Sequence, residues 1–258
     1  MKHSKDIINK RRKNLLLLIN ELKKSTNINL AEKLNVSLPT IRRDIEYLHN
    51  KNLIYKYHGY VSAISSNEIR KSITENKKNQ IAKIAATLIN DDDIIFINSA
   101  YTSIQSIKYI EPSKFVSVIT NNGNVLTMHT LPKIKIILTG GEIKKTKSAL
   151  TGEFALNNII NTQANKAILG ASGFHITEGI TTANIDEVAI NKAMIERANK
   201  VILCVDSSKL NHKSAFVSGD VRDVDILITN SDADPEIIES LKLFGIECIL
   251  VDENGIVK

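Results

Sequence analysis

Apolar side chains in the first quarter of the chain recur at helical spacing, in segments separated by polar turns. Residues 15–22 and 30–34 each carry apolar positions that suit one buried helix face. A third helix is expected after Ser37, a natural N-cap, with Pro39 in its first turn, where a missing N–H costs little. Two short strands around His58–Gly59 follow. The pattern predicts a helix, a helix-turn-helix and a β wing.

From Ile94 onwards, continuous apolar runs rich in β-branched residues alternate with amphipathic stretches. The strand-like runs are residues 94–98, 115–120, 135–138, 166–170, 201–205, 225–229 and 247–251. The helix-like stretches are residues 102–110, 122–130, 153–161, 186–198 and 234–244. This alternation is typical of an α/β fold with a mostly parallel sheet that helices cover on both faces.

A polar segment without proline or glycine, residues 65–80, separates the two patterns. It is expected to be a linker that can be helical, since an apolar stripe at helical spacing starts directly after it. The predicted organisation is a winged helix-turn-helix domain over residues 1–64, the linker, and an α/β domain over residues 81–258.

Positive charge is concentrated in the N-terminal part of this 258-residue chain, whose formal net charge is +6. Residues 1–66 contain 13 Lys and Arg against 5 Asp and Glu, whereas residues 67–258 contain 21 against 23. A small basic module ahead of a near-neutral domain favours binding to a polyanion such as nucleic acid. A solvated basic segment would give the same counts, so charge alone leaves that alternative open.

The composition argues against several other classes of protein. No run of about 18 apolar residues is present, so no segment is expected to span a membrane. The apolar run Leu15–Ile19 is too short for a signal peptide, which predicts a cytoplasmic protein. Cys204 and Cys248 lie in apolar runs and are expected to be buried thiols in a reducing compartment. No Cys/His cluster has zinc-site spacing, so neither a metal nor a cofactor is predicted.

The segment after Ser37 has the dimensions of a recognition helix, which lies in the DNA major groove with its first residues at the base edges. Two adjacent arginines supply guanidinium groups for guanine or phosphate, and nearby hydroxyl groups can contact either. Basic and aromatic wing residues would contact the flanking backbone. The predicted DNA-binding residues are Ser37, Thr40, Arg42, Arg43, Lys56, Tyr57 and His58. A three-helix protein-binding module with a solvated basic face is the alternative.

The motif NVSLPTIRRDIEYL, followed by a wing with His58–Gly59, resembles the N-terminal signature of the DeoR family of bacterial transcriptional repressors. The block Thr40–Asp44 matches that signature without exception, while Tyr60 replaces the second glycine of the wing and Lys56 stands where arginine is common. Asp44 would then orient an arginine through a salt bridge, or accept a hydrogen bond from a cytosine amine.

The resemblance continues over about nine-tenths of the chain. The segments IIFINSAYTS, VITNNGNV, ILTGGEI, LTGEF, GITT, EVAINKAMIERA and VILCVDSSKL follow the landmarks of the DeoR sensor domain in order. The resemblance implies a Rossmann-like fold similar to that of ribose-5-phosphate isomerase. It also implies that this sensor domain binds a phosphorylated sugar or a related metabolite as effector.

Loops at the carboxyl ends of the strands would hold this effector, as in other open α/β sheets. Backbone N–H groups and hydroxyls converge at two of these loops, and a glycine pair would let a third approach the ligand closely. The resemblance adds a lysine for the phosphate. The predicted ligand-binding residues are Asn98, Ser99, Ala100, Tyr101, Thr102, Thr120, Asn121, Asn122, Gly140, Gly141, Gly170, Glu187 and Lys209. Each loop alone could also be an ordinary polar turn.

The loop Asn98–Thr102 departs most from the family pattern of aspartate, serine, glycine and two threonines. Asn98 replaces the aspartate, Ala100 the glycine, and Tyr101 the first threonine. Alanine adopts a positive φ only at a cost. The sequence therefore predicts a departure from the standard sugar-phosphate grip, with three alternatives: a different ligand, weaker binding, or a ligand on which Tyr101 stacks.

A sugar-phosphate isomerase is the main rival function. Isomerisation needs a carboxylate base beside the C–H bond and polar groups that stabilise an enediolate. In the similar isomerases an acidic pair follows the fourth strand, whereas residues 170–174 here contain no carboxylate. Glu187 stands where the isomerase base would be, but alone it suits a ligand-hydroxyl acceptor or a helix cap. No enzyme activity is therefore predicted.

Together these features predict a DNA-binding regulator, specifically a repressor of genes for sugar or related metabolite use. A phosphorylated sugar-like effector would change its affinity for a double-stranded DNA operator, with residues 67–80 as the connection. Helix-turn-helix proteins usually bind paired half-sites, so a homo-oligomer, dimer or tetramer, is expected. A protein-interaction adaptor with no role on DNA is the remaining alternative.

Overall fold

A computed structural model of the chain describes residues 2–51, 53–64, 66–144, 147–252 and 255, without the side chains of residues 2–7, 66–73, 144 and 147. The chain divides into two compact units, Met1–Ile73 and Thr74–Lys258. The winged-helix unit has one hydrophobic core, and the α/β unit has one on each face of its main sheet.

The N-terminal unit is a winged helix. Its elements are α1 (Lys2–Leu22), β1 (Lys24–Thr26), α2 (Asn27–Lys33), α3 (Leu38–Asn50), β2 (Ile54–Lys56) and β3 (Tyr60–Ala63). The strands form an antiparallel sheet in the order β1-β3-β2. The predicted helix-turn-helix and wing are present. The additional strand β1 has only three residues, too few for a recognisable alternation of polar and apolar positions.

Apolar residues from all three helices and from the wing fill the core of this unit. The fully buried ones include Leu15, Ile19, Leu30, Ile41, Ile45, Leu48, Ile54 and Val61. Three of these lie on one face of α3, at the predicted helical spacing. Ser37 occupies the N-cap position of α3, but its Oγ bonds to Thr40 Oγ1 at 2.8 Å and does not cap the helix backbone.

One helix, α4 (Ser66–Thr87), crosses the division between the units. Its C-terminal half carries the buried residues Ile81, Ala82, Ile84 and Ala85. The segment predicted as a linker, residues 65–80, is thus largely the N-terminal part of a longer helix.

The C-terminal unit contains the remaining elements. Its helices are α5 (Tyr101–Ile104), α6 (Glu153–Ile160), α7 (Val188–Glu196) and α8 (Pro235–Lys242). Its strands are β4 (Ile94–Ile97), β5 (Val116–Thr120), β6 (Ile134–Leu138), β7 (Glu142–Lys144), β8 (Lys147–Thr151), β9 (Lys166–Leu169), β10 (Gly173–His175), β11 (Gly179–Thr182), β12 (Val201–Cys204), β13 (Phe216–Gly219), β14 (Ile226–Asn230) and β15 (Glu247–Val251).

Seven of these strands form a parallel sheet in the order β15-β14-β12-β9-β4-β5-β6. They are the predicted strands, and each predicted end lies within one residue of the observed end. Along β4, Phe96 faces one core cluster while Ile95 and Ile97 face the other. Because successive side chains of a strand point to opposite faces, both faces of the sheet are buried. The predicted α/β class is confirmed.

Two predicted helices are shorter than the sequence pattern suggests. Residues 102–110 form one α-helical turn followed by a 3-10 turn, and only a 3-10 turn forms within residues 122–130. In the second stretch, Asn122 Oδ1 accepts a hydrogen bond from Asn124 N at 3.0 Å. This bond makes Asn122 the N-cap of the turn, which begins at Gly123 and ends at Thr127.

The small antiparallel strands have no counterpart in the prediction. β7 and β8 form a hairpin, and β10, β11 and β13 form a separate three-stranded sheet. At three to five residues each, they show too little alternation to be recognised. None of the described helices is long and apolar enough to cross a membrane.

Candidate functional site

The exposed face of α3 carries both predicted arginines. Arg42 and Arg43 are exposed, Ser37 is exposed at the start of the helix, and Thr40 is half-buried beside it. Neither guanidinium forms an ion pair with any side chain that the structure describes. The buried side of the helix packs on the core, so this charged face remains open to a partner.

Asp44, on the same helix, is buried and only 1% exposed. Its carboxylate accepts hydrogen bonds from Arg11 Nε at 2.6 Å and Arg12 Nε at 2.9 Å, both on α1. Burial alone would raise the pKa of Asp44, but the two guanidinium groups outweigh that effect and lower it. Of the two predicted roles, the salt bridge is therefore observed. The bond to a cytosine amine is wrong, because the carboxylate faces the protein interior.

The three DNA-contact residues predicted in the wing have different environments. The Lys56 ammonium is paired with Glu46 of α3, so its charge already has a partner. His58 is exposed, and Tyr57 is exposed with its ring stacked on Tyr60, the ring centroids 4.7 Å apart and the planes inclined by 14°. Tyr60, which replaces the second wing glycine of the family pattern, thus packs against another wing residue.

A cleft of about 380 Å³ opens where strands β4 and β9 end. Its lining residues are Asn98, Ser99, Ala100, Asn124, Ser148, Ala149, Gly170, Ala171, Ser172, Thr182, Glu187 and Asn191. Five of them were predicted from the sequence, namely Asn98, Ser99, Ala100, Gly170 and Glu187. The structure brings these five together: four lie at the carboxyl ends of β4 and β9, as expected for an open α/β sheet, and Glu187 comes from the 3-10 turn before α7.

Asn98 holds the floor of the cleft together. Its Nδ2 donates to the Gly170 carbonyl at 2.9 Å and to Asn191 Oδ1 at 3.1 Å. Its Oδ1 accepts from Gly170 N at 3.0 Å and from Ser103 Oγ at 2.8 Å. With both amide hydrogens engaged and the side chain 2% exposed, Asn98 positions the surrounding loops.

Ala100 fits its loop without strain, which corrects the expectation of a costly positive φ. Its φ is −70° and its ψ is 144°, in the extended region open to every residue. The compensating glycine is Gly170, where an added Cβ would lie 2.5 Å from the Ala100 Cβ. Gly170 is therefore required by close packing of the two loops.

Tyr101 does not line the cleft. Its ring is 46% exposed, and Lys78 Nζ on α4 lies 5.7 Å from the ring centroid. Partial burial raises the pKa of the Tyr101 hydroxyl, and the Glu75 carboxylate raises it further. The ring therefore interacts with α4, whereas stacking on a ligand was one of the predicted alternatives. Thr102, the next residue, is buried.

The loop after β5 supports the cleft from behind. Thr120 Oγ1 accepts from Asn122 N at 3.1 Å, and Asn121 Nδ2 donates to the Leu150 carbonyl at 3.1 Å. Asn122 Nδ2 donates to the Ser99 carbonyl at 3.0 Å. All three predicted side chains are buried and none lines the cleft, so their bonds position the loop that does.

The remaining predicted residues also lie outside the cleft lining. Gly140 and Gly141 have φ values of 67° and 106°. An added Cβ on Gly141 would lie 2.3 Å from the Thr151 carbonyl oxygen, so this glycine permits close backbone packing within the protein. Lys209 is half-buried in a 3-10 turn after β12.

Several lining residues were not predicted from the sequence, among them Thr182 and Asn191, whose hydroxyl and amide groups can bind a ligand. Glu187 and Asn191 are four residues apart, and this spacing places both side chains on one face at the start of α7. Glu187 accepts hydrogen bonds from Thr182 Oγ1 at 3.0 Å and Asn184 Nδ2 at 3.2 Å. The four-residue spacing from Glu187 could have indicated Asn191 from the sequence alone. Ser148 lies in the β7–β8 hairpin, which has no recognisable sequence pattern.

The described part of the cleft lining has one formal charge, the Glu187 carboxylate. Its other polar groups are hydroxyls, amides and backbone atoms. Across the described residues, no group of three or more His, Cys, Asp or Glu side chains is arranged to hold a metal ion. The cleft is chemically suited to a ligand with several hydroxyl groups.

Two protein-family models match this chain. The DeoR-like helix-turn-helix domain matches residues 11–67, and the DeoR C terminal sensor domain matches residues 73–231. The chain belongs to the DeoR family. It is a DNA-binding transcriptional regulator in which a winged helix precedes a sensor domain.

Three relatives illustrate this membership of the DeoR family. The chain is 30% identical over 230 residues to the HTH-type transcriptional regulator GolR of Listeria innocua, with 86% of this chain and 90% of the relative covered. It is 29% identical over 213 residues to the HTH-type transcriptional regulator IolR of Bacillus subtilis, covering 80% and 85%. It is 30% identical over 208 residues to the glycerol-3-phosphate regulon repressor of Escherichia coli, covering 78% and 82%.

Two solved structures are similar at a lower level. Ribose 5-phosphate isomerase A from Methanocaldococcus jannaschii has 18% identity and a TM-score of 0.39, with 53% of this chain and 55% of that chain covered. The eIF2B delta structure from Chaetomium thermophilum has 16% identity and a TM-score of 0.39, covering 69% and 58%. The DeoR-family chain thus spans little more than half the length of each solved chain.

Proposed function

We propose that this DeoR-family chain represses genes for the use of a sugar or a related metabolite. The winged helix binds a double-stranded DNA operator, and a phosphorylated sugar-like effector in the cleft changes the affinity for it. The relative named as a glycerol-3-phosphate regulon repressor supports a phosphorylated effector. A cytoplasmic location, a homo-oligomer (dimer or tetramer) and the domain limits at residues 64 and 81 belong to the same proposal.

One observation carries the DNA-binding part of the proposal. Arg42 and Arg43 are exposed on α3, whereas Arg11 and Arg12 are held by the buried carboxylate of Asp44. The buried ion pairs attach α3 to α1 and leave two guanidinium groups available for guanine or phosphate. Ser37, Thr40, Tyr57 and His58 are the further proposed contacts.

The cleft carries the effector part of the proposal. The hydroxyls, amides and one carboxylate of the lining combine hydrogen-bond donors and acceptors. Each hydroxyl group of a polyol can both donate and accept, so it can pair with either kind. We assign the hydroxyl-binding role to Glu187, Asn191 and Thr182, which lie together. Ser99 and Lys209 stay predicted contacts for the phosphate, although Lys209 lies outside the lining.

The same cleft argues against an isomerase. Proton abstraction from carbon needs a carboxylate base with partners that stabilise the enediolate. Among the described lining residues only Glu187 is a carboxylate, and its two oxygens accept bonds from Thr182 and Asn184. We therefore propose that the cleft binds a metabolite without converting it.

The proposal is tested by linking ligand binding to DNA binding. Thermal unfolding is recorded with hexose, pentose and glycerol phosphates and with the matching free sugars, because a ligand that binds only the folded chain raises Tm. A compound that raises Tm should also change the affinity for an operator selected from a random DNA pool. Stabilisation by free sugars alone would contradict a phosphorylated effector. Turnover of a sugar phosphate that Glu187→Gln abolishes would contradict a purely binding role.

A further inference from the structure

A cation–aromatic stack at the tip of the wing suggests a further contact with DNA. The Lys24 ammonium of β1 lies 4.1 Å from the centroid of the Tyr60 ring. Tyr60 is in turn stacked on Tyr57, with ring centroids 4.7 Å apart. Lys24 and Tyr57 are exposed. The three side chains form one layer, Lys24–Tyr60–Tyr57.

The register of the wing sheet explains why these residues meet. Lys24 pairs with Ser62 and Thr26 pairs with Tyr60, so Lys24 and Tyr60 are diagonal neighbours on adjacent strands. Diagonal positions on one face are within reach of long and aromatic side chains. Ser25, between the two paired residues of β1, points to the opposite face and is buried. The stack therefore occupies the solvent face of the sheet.

The turn between the two tyrosines is held by the backbone. Tyr57 N donates to the Tyr60 carbonyl at 2.9 Å, and Asn27 N donates to the Gly59 carbonyl at 3.2 Å. Gly59 has a φ of 82°, a conformation that favours glycine. These bonds fix where the Tyr60 ring lies and so where the Lys24 ammonium can rest.

This wing tip lies next to the exposed face of α3. Lys56, the residue before Tyr57, is paired with Glu46. Glu46 is three and four residues after Arg43 and Arg42, so the three side chains share one face of the helix. Lys56 is opposite the buried Val61 and points toward α3, whereas the stack lies on the other face of the wing sheet. The stack therefore belongs to the outer face of a wing tip that contacts α3 through Lys56.

We infer that Lys24 binds a DNA phosphate and that Tyr60, stacked on Tyr57, is the positioning residue that presents it. A cation over an aromatic face keeps its remaining N–H donors for another acceptor, and an ammonium binds phosphate as a point charge. A glycine in place of Tyr60 would leave Lys24 free to move among many rotamers. The inference rests on the proposed DNA-binding face, which it extends by one cation that the sequence analysis did not include.

The test measures the salt dependence of binding to a mixed-sequence DNA duplex, using the full chain. Each phosphate contact contributes about 0.9 to the slope of log affinity against log salt. Lys24→Gln should therefore lower the slope by about one, which is a roughly threefold smaller loss of affinity between about 50 mM and 200 mM salt. Lys23→Gln is the matched control, because it removes the same charge one residue away, where no ring contact is present among the described residues.

The role of the ring is tested by a double-mutant cycle. Tyr60→Ala should reduce the slope about as much as Lys24→Gln, and the double variant should show little further reduction. Tyr60→Phe keeps the aromatic face and should restore the slope of the unmodified chain. A Tm measurement on each variant separates loss of the contact from unfolding of the wing.

Three results would overturn the inference. They are an unchanged slope in Lys24→Gln, equal reductions in Lys24→Gln and Lys23→Gln, or additive effects of Lys24→Gln and Tyr60→Ala. The proposed DNA-binding face fails separately, if Arg42→Ala combined with Arg43→Ala leaves duplex binding intact.

Discussion

The DNA-facing surface of the winged helix and the cleft of the α/β unit use polar residues in opposite ways. On α3 the residues proposed for DNA are exposed, and a single buried carboxylate, Asp44, holds the helix beneath them. In the cleft the buried polar residues are bonded to their neighbours, and Asn98 joins Asn191 to the backbone of Gly170. Charge identifies the first surface. Only the hydrogen-bond network separates residues that face a ligand from those that hold the second site together.

Removing the Asp44 carboxylate should have the largest effect on the first region. Breaking a buried ion pair by deleting one partner usually costs 3–5 kcal/mol, and partial exposure of both arginines favours the low end, about 3 kcal/mol. Asp44→Ala should lower the free energy of unfolding of the winged helix by that amount, measured by urea titration. Asp44→Asn keeps an acceptor oxygen and should lose less. Equal losses in both variants would show that charge is unimportant here.

The same ion pair should make the winged helix sensitive to acid. The pKa of Asp44 is lower in the folded chain than in the unfolded chain. Its contribution is therefore complete above the unfolded value, near 4, and is lost as pH falls through the lower folded value. Between about pH 5 and pH 2, stability should fall more steeply in the unmodified chain than in Asp44→Asn. Parallel curves would rule out this linkage.

The corresponding change in the cleft is Asn98→Ala. It leaves the Gly170 N–H and carbonyl and the Asn191 amide without their partner, and buried unsatisfied groups cost about 1–3 kcal/mol each. Allowing for relaxation, we expect a total loss of about 2–4 kcal/mol in thermal unfolding. Asn124→Ala removes the same side chain from an exposed cleft position and should leave Tm nearly unchanged. Similar Tm values for the two variants would contradict a central role for Asn98.

Single arginine substitutions should affect DNA binding and leave stability alone. Arg42→Ala or Arg43→Ala should cost about 1–3 kcal/mol of operator affinity and relax base preference if the residue reads guanine. If it binds phosphate, affinity should fall uniformly and the salt slope should shrink by about one. Fluorescence anisotropy with operator and mixed-sequence duplexes distinguishes the two cases. No effect from either substitution would disprove the recognition-helix assignment.

The smallest expected effect concerns Glu187. Glu187→Gln keeps the shape of the side chain but removes the charge that strengthens a hydroxyl bond, which should weaken effector binding by roughly tenfold. Isothermal titration with the compound found by thermal shift measures this change.

Lys209→Ala should weaken binding of the phosphorylated compound and leave binding of its free sugar unchanged. If both compounds lose affinity equally, Lys209 does not contact phosphate.

Much of the fold could be predicted because its signals are local and repeated. Seven continuous apolar strands and the stripe of Ile41, Ile45 and Leu48 each depend only on spacing along the chain. The small antiparallel strands could not be found, since they are short and their pairing joins segments such as β11 and β13, which are far apart in sequence.

The sites were predictable where exposure and charge suffice. Arg42 and Arg43 follow from a motif on one helix, whereas the burial of Asp44 depends on arginines more than 30 positions earlier. The expected strain at Ala100 is absent because its φ is −70°, and only the folded chain shows that its Cβ packs against Gly170. Polar residue type alone gives no indication of which side a loop residue faces.

The distance in sequence between Asp44 and Arg11 has a consequence for the recognition helix itself. Closing a loop of 33 residues costs chain entropy that the ion pair must offset. The ion pair therefore orients α3 only when the whole unit is folded. A peptide of residues 38–50 would contain both exposed arginines but no α1 to fix their direction. Such a peptide should bind DNA through charge with little preference among sequences. Selective reading by this helix is thus a property of tertiary structure.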